Sequence, residues 1–210
     1  MRQQLGRRHR LLAALVALAT VGLAAGTASA TVSSREVSKK VKVQGTALPE
    51  SADQPSADDP AIGMTAPTLV GQGYDGQKVT FADDGKARIL IFLSHSCPHC
   101  QAEVPRIVKL AGQGKLDAVE IDTVTTNTSK DLPNYPPSKW LKKEKWPFSP
   151  VLADDGRLRA FFGFGGQAFP FFVFVGADGK VAARVSGELE PATIAKAAAR
   201  LAAGESLFAE

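Results

Sequence analysis

Cysteine is scarce in this chain: Cys97 and Cys100 are the only two in 210 residues, and there are only three histidines. Two cysteines cannot build a disulfide-rich scaffold, nor can they alone complete a four-ligand zinc site. Acidic residues are missing from the first thirty positions, which hold Arg2, Arg7, Arg8 and Arg10. The remaining chain carries 21 residues of each sign, so the net charge of +4 belongs to the N-terminus. A clustered cationic surface for nucleic acid is thereby excluded, and no nucleic-acid partner is expected. Internal repeats are absent. A composition of 22% charged and 44% hydrophobic residues excludes disorder throughout.

The first thirty residues read as a signal peptide. Arg7-Arg8-His9-Arg10 is followed by an apolar stretch over 11–25 and by Ala28-Ser29-Ala30, a small-residue cleavage pattern. No charge occurs between Leu11 and Ser34, so an uncleaved membrane tether through residues 11–30 is the competing reading. Both place the functional part outside the cytoplasm, secreted or held at a bacterial cell envelope, where disulfides persist. Residues 31–60 lack a long apolar run and are rich in Pro, Ser, Ala and Asp, which predicts a flexible linker. Residues 61–204 are expected to form one α/β domain, and 205–210 a tail.

Within that domain, 78–81 and 88–94 read as strands, the second almost continuously apolar as a central buried strand requires. Helical spacing follows over 98–110, a β-rich run over 119–124, a short helix over 138–145, a strand at 151–152 and a short helix at 157–162. Residues 171–175 and 180–186 flank the turn Gly176-Ala177-Asp178-Gly179 as a hairpin. Pro191 opens a last helix that Gly204 ends. Strands alternating with helices indicate a mixed sheet between helical layers.

The central strand runs into Ser96-Cys97-Pro98-His99-Cys100, with a helix starting inside the motif. The orphan N–H groups and positive end of that helix stabilise a thiolate at Cys97, which makes Cys97 the attacking sulfur and Cys100 the resolving one. His99 can donate to the Cys97 sulfur and favour the reduced form, so the oxidised form would be a strong oxidant. Such exchange needs no cofactor. Other chemistries fit less well. Gln101 stands where a haem attachment motif needs histidine. Ser94 lies three before Cys97, where peroxiredoxins place a hydroxyl, but their upstream proline is missing. A non-catalytic copper or zinc module could recruit His95, Cys97, His99 and Cys100.

Together with Pro105 and the distant run Phe169-Pro170-Phe171-Phe172-Val173-Phe174-Val175, this motif resembles the thioredoxin superfamily. Gly63-Met64-Thr65-Ala66-Pro67, the Tyr74-Asp75-Gly76-Gln77-Lys78-Val79 hairpin and an insert over about 122–150 are similar to its extracytoplasmic TlpA/ResA branch. The resemblance implies a thioredoxin-like α/β fold with Pro170 in cis opposite the dithiol. It also implies thiol–disulfide exchange with exported proteins and a membrane or extracytoplasmic redox partner. Cys97, Pro98, His99 and Cys100 would form the catalytic motif, and the Phe169 backbone would bind client. Three departures stand out. Ser96 replaces the usual aromatic residue. Ile91 stands where thioredoxin has a buried acid, which leaves Cys100 without a proton acceptor; Glu103 could substitute, but reads better as a solvated helix residue. The Pro-His dipeptide is typical of DsbA-type oxidants, whereas TlpA-like proteins are reductants.

Most of the phenylalanines between 161 and 174 are expected in the core, with Phe164 and Phe169 exposed to greet unfolded chains. Trp140 and Trp146, among Lys139, Lys142, Lys143 and Lys145, admit a partner-binding face or an ordinary amphipathic helix.

Overall fold

A computed structural model describes residues 35–52 and 54–208. The expected signal peptide or tether over 1–30 lies outside the described residues. Among those described, no helix is long and apolar enough to cross a membrane.

β4 (Arg88–Leu93) organises the molecule. All six of its residues are buried. Its side chains alternate between two layers. Ile89, Ile91 and Leu93 face α1 (Pro98–Gly112) and α4 (Pro191–Ala202) through Val104, Ile107, Ile194, Ala198 and Leu201. Leu90 and Phe92 face the opposite layer, which holds Val41, Leu48, Phe161 and Phe164. Two cores on one strand explain why its sequence shows no polar alternation.

β5 (Glu120–Thr125) pairs with β4 in parallel, and β6 (Val151–Ala153) with β5 likewise. On the other side β7 (Phe171–Val175) runs antiparallel to β4, and β8 (Val181–Ser186) closes that edge as the hairpin partner. β1 (Lys42–Gln44), β2 (Thr68–Gln72) and β3 (Lys78–Phe81) complete an eight-stranded sheet in the order β1-β2-β6-β5-β4-β7-β8, with β3 on β2. α2 (Pro137–Lys143) and α3 (Arg159–Gly163) lie in the β5–β6 and β6–β7 connections. The α/β class and the mixed thioredoxin-like sheet agree with the expected fold; β1 and β2 carry too few apolar residues to show in the sequence.

The flexible linker is corrected where the structure describes it. Residues 35–52 and 54–60 are built into the domain. Val41 and Leu48 are buried. Arg35 N–H donates to Tyr74, Ser38 to Asp154, Leu48 to Gly163 and Ser51 to Gly165. The segment approaches so closely that a Cβ on Gly165, at φ +74°, would lie 2.0 Å from the Pro49 carbonyl oxygen. Arg184, wholly buried, binds Asp59 through Nε (3.0 Å) and Nη2 (2.5 Å), and Pro49 and Phe164 carbonyls through Nη1. A chain held by backbone bonds and one distant ion pair has a linker's composition and a domain's contacts. Leu207 and Phe208, expected in the tail, also pack on the α1–α4 layer.

Of the two readings of the tryptophans, the ordinary core-packing one holds. Trp140 is buried, and Trp146 donates its indole N–H to Thr123 at 3.0 Å, so both rings serve the core.

Candidate functional site

The end of β4 and the start of α1 place the dithiol. Cys97 is the N-cap of α1, in extended backbone (φ −76°, ψ 121°), and its side chain makes no capping bond. Pro98 follows in the first turn, where a missing N–H costs nothing. Cys97 is half-buried and Cys100 fully buried, both as free thiols. The Cys97 Sγ donates to the Phe169 carbonyl oxygen at 3.5 Å, and the Ser94 N–H donates to Cys100 Sγ at 3.4 Å. Burial pushes the Cys100 thiol well above the ordinary cysteine range, and the charges of Cys97 and Glu103 push the same way.

Phe169 and Pro170 lie where the resemblance implied. Their peptide bond is cis. Pro170 is buried and its carbonyl accepts the Gly187 N–H at 2.8 Å. The half-buried Phe169 ring packs against Phe161, centroids 4.4 Å apart and planes tilted by 42°, and borders both core layers. Phe164 is fully buried, contrary to expectation, because its ring packs 5.6 Å from Phe92; Phe162 is the exposed ring instead, 58% accessible.

Glu103 corrects the sequence reading most sharply. The expected solvated helix residue is fully buried, one turn below Cys100. Its Oε2 accepts the Leu189 N–H at 3.3 Å, while Oε1 has no hydrogen-bond partner. Burial raises its carboxyl to about 7, against the pull of that N–H and of Arg106. A buried carboxyl thus stands one turn after Cys100, although position 91 supplies none.

His99 is two-thirds exposed, and its Nδ1 lies 2.7 Å from Glu188 Oε1. Arg106 Nη1 holds the other oxygen of Glu188 at 2.7 Å and reaches Glu103 Oε2 at 3.5 Å. The hydrogen bond with His99 and the charge of Arg106 hold the Glu188 carboxyl below the usual range. Neither Glu188 nor Arg106 was visible as a site residue, since no motif links a β8–α4 loop to a helix that precedes it by 80 residues. A groove of about 430 Å³ opens here between His99, Phe169, Gly187 and Glu188. A larger cavity of about 540 Å³ lies around Arg88, at the opposite end of β4, where Asp122 (2.8 Å) and Asp84 already hold the guanidinium.

His95 is not brought to the thiols as a ligand. It is buried, with Nδ1 2.6 Å from the Pro133 carbonyl and Nε2 accepting the Ser129 N–H at 3.2 Å. Both nitrogens are committed to fixing the insert loop. Among the described residues no three His, Cys, Asp or Glu side chains stand together as a metal site.

The AhpC/TSA family model matches residues 62–184. A thiol:disulfide interchange protein of the thioredoxin family from Chlorobium tepidum is 26% identical, with a TM-score of 0.54 over 66% of this chain and 95% of its own. A putative thiol:disulfide interchange protein DsbE from the same organism is 19% identical, with a TM-score of 0.55 over 67% and 97%. The exposed lipoprotein thioredoxin Etrx1 of Streptococcus pneumoniae is 23% identical, with a TM-score of 0.52 over 64% and 99%. No curated protein matches the chain.

Proposed function

Because the chain belongs to the AhpC/TSA family, we propose that it exchanges disulfides with exported proteins outside the cytoplasm, and that it works as an oxidant. It is a thioredoxin-like thiol–disulfide oxidoreductase. The observation that carries the reading is the pairing of an accessible Cys97 at a helix N-terminus with a Cys100 sealed behind it.

In the oxidised protein a client thiolate attacks the Cys97 sulfur, the Cys97–Cys100 bond breaks, and the electron pair leaves on Cys100. Burial disfavours that thiolate, so a proton must reach it; in this reading the buried Glu103, titrating near 7 one turn along the helix, hands it over. The client's second thiolate then attacks its own sulfur in the mixed disulfide, and Cys97 departs. The client has lost two electrons and the dithiol has gained them. A disulfide-bearing redox partner takes them back in the reverse sequence. Phe169, whose carbonyl faces Cys97, offers the backbone edge for the client.

The oxidant direction rests on the helix end at Cys97, which favours the reduced form. The apolar run after Arg10 supports the extracytoplasmic placement, and the exposed pneumococcal lipoprotein is of the same fold. The equilibrium with glutathione tests the direction: a potential well above the roughly −270 mV of thioredoxin is expected. A value at or below it overturns the oxidant. A TlpA-like reductant would then take its place, and one observation favours that second reading: the His99 hydrogen bond goes to Glu188, not to Cys97.

A further inference from the structure

The loop between β8 and α4 is pinned at two points, and both belong to the dithiol machinery. Gly187 N–H donates to the carbonyl of Pro170, and Leu189 N–H donates to Glu103. Glu188 sits between these anchors, so its carboxylate has little freedom. It divides its two oxygens between His99 Nδ1 and Arg106 Nη1, each at 2.7 Å. The Arg106 guanidinium in turn extends to Glu103.

A ring N–H given to Glu188 is not available to the Cys97 sulfur, and a carboxylate beside an imidazolium offsets the charge that would favour a thiolate. We propose that Glu188 is a positioning residue that withholds His99 from Cys97 and so makes the dithiol more reducing than its Cys-Pro-His-Cys motif alone dictates. The inference rests on the oxidoreductase reading and adds its regulation. It also accounts for an oxidant's dipeptide on a reductant's scaffold: the histidine is present, but its hydrogen bond is taken by a carboxylate from another loop. Arg106 serves by keeping Glu188 ionised and aimed.

Glutathione equilibria of the full chain, of Glu188→Ala and Glu188→Gln, and of both made together with His99→Ala, test this. Glu188→Ala is expected to shift the equilibrium about tenfold toward the reduced dithiol, about 30 mV for a two-electron couple. Glu188→Gln, which keeps an acceptor but loses the charge, should fall between. In the His99→Ala background the shift should shrink below about threefold, because the effect runs through the imidazole. No shift, an opposite shift, or an equal shift with and without His99 overturns the proposal. Failure of the unsubstituted protein to equilibrate with glutathione at all would overturn the oxidoreductase reading itself, and the inference with it.

Discussion

Cys97 and Phe169 stand 72 positions apart, yet the thiol of one donates to the carbonyl oxygen of the other at 3.5 Å. That contact joins the nucleophile to the strand that leads into β7. In the proposed exchange, a client cysteine bonded to Cys97 would lie against the Phe169 backbone as soon as the mixed disulfide forms.

The two thiols should be separable by reagent. Cys97 is expected to alkylate with iodoacetamide in native buffer, and Cys100 only after denaturation, since it is fully buried. Cys100→Ala should accumulate mixed disulfides with clients, and Cys97→Ala none, as read by mass spectrometry under non-reducing conditions. Equal alkylation of both in the native protein would remove the assignment.

Glu103 gives a pH dependence of defined sign. Its carboxyl titrates near 7 in the folded protein and near 4.5 when unfolded, so its raised value favours folding at low pH. That contribution is complete below about 4.5 and is lost as pH rises through 7. Glu103→Gln should match the parent near pH 4 in urea denaturation and exceed it by about 2–3 kcal/mol at pH 8. The same substitution should slow disulfide exchange and erase the break near pH 7 in its rate profile.

Arg184 should prove indispensable to the N-terminal segment. Arg184→Met strands Asp59 in the interior and is expected to cost about 3–5 kcal/mol by thermal or urea unfolding. Adding Asp59→Leu should recover a large part, as the uncompensated charge goes. Leu48→Ala should cost about 2–5 kcal/mol, where a linker residue would cost almost nothing.

Phe162 projects from α3 next to Phe161, which touches Phe169. Phe162→Ala is expected to raise KM for an unfolded client severalfold while moving stability by less than about 0.5 kcal/mol. Unchanged KM would leave the ring without a role in client capture.

Legibility followed range. β4, β7, β8, α1 and α4 were readable because burial, turn residues and helical spacing act within a few residues of one another. The dithiol stood out because strand, Cys-x-x-Cys and helix are contiguous. Glu103 misled, for a carboxylate on a helix is ordinarily solvated; its burial is set by Leu189 and Arg106, and only Arg106 is a neighbour in sequence. Glu188 and Asp59 were beyond reading, since each acquires its meaning from partners more than 80 residues away. Phe164 and Phe162, two apart in a run of aromatics, exchanged roles through the turn of a five-residue helix.

The ring of Phe169 belongs to neither core layer alone: it borders the α1–α4 side through one set of neighbours and the Phe161 side through another. Close-packed interiors transmit displacement, so a change of volume on either side of the sheet is felt at this ring, and through it at the carbonyl that meets the thiol. A volume change in either apolar layer is therefore expected to reach the sulfur through this ring. Evolution could retune the sulfur chemistry by adjusting a methyl group in either layer and leaving every polar residue untouched.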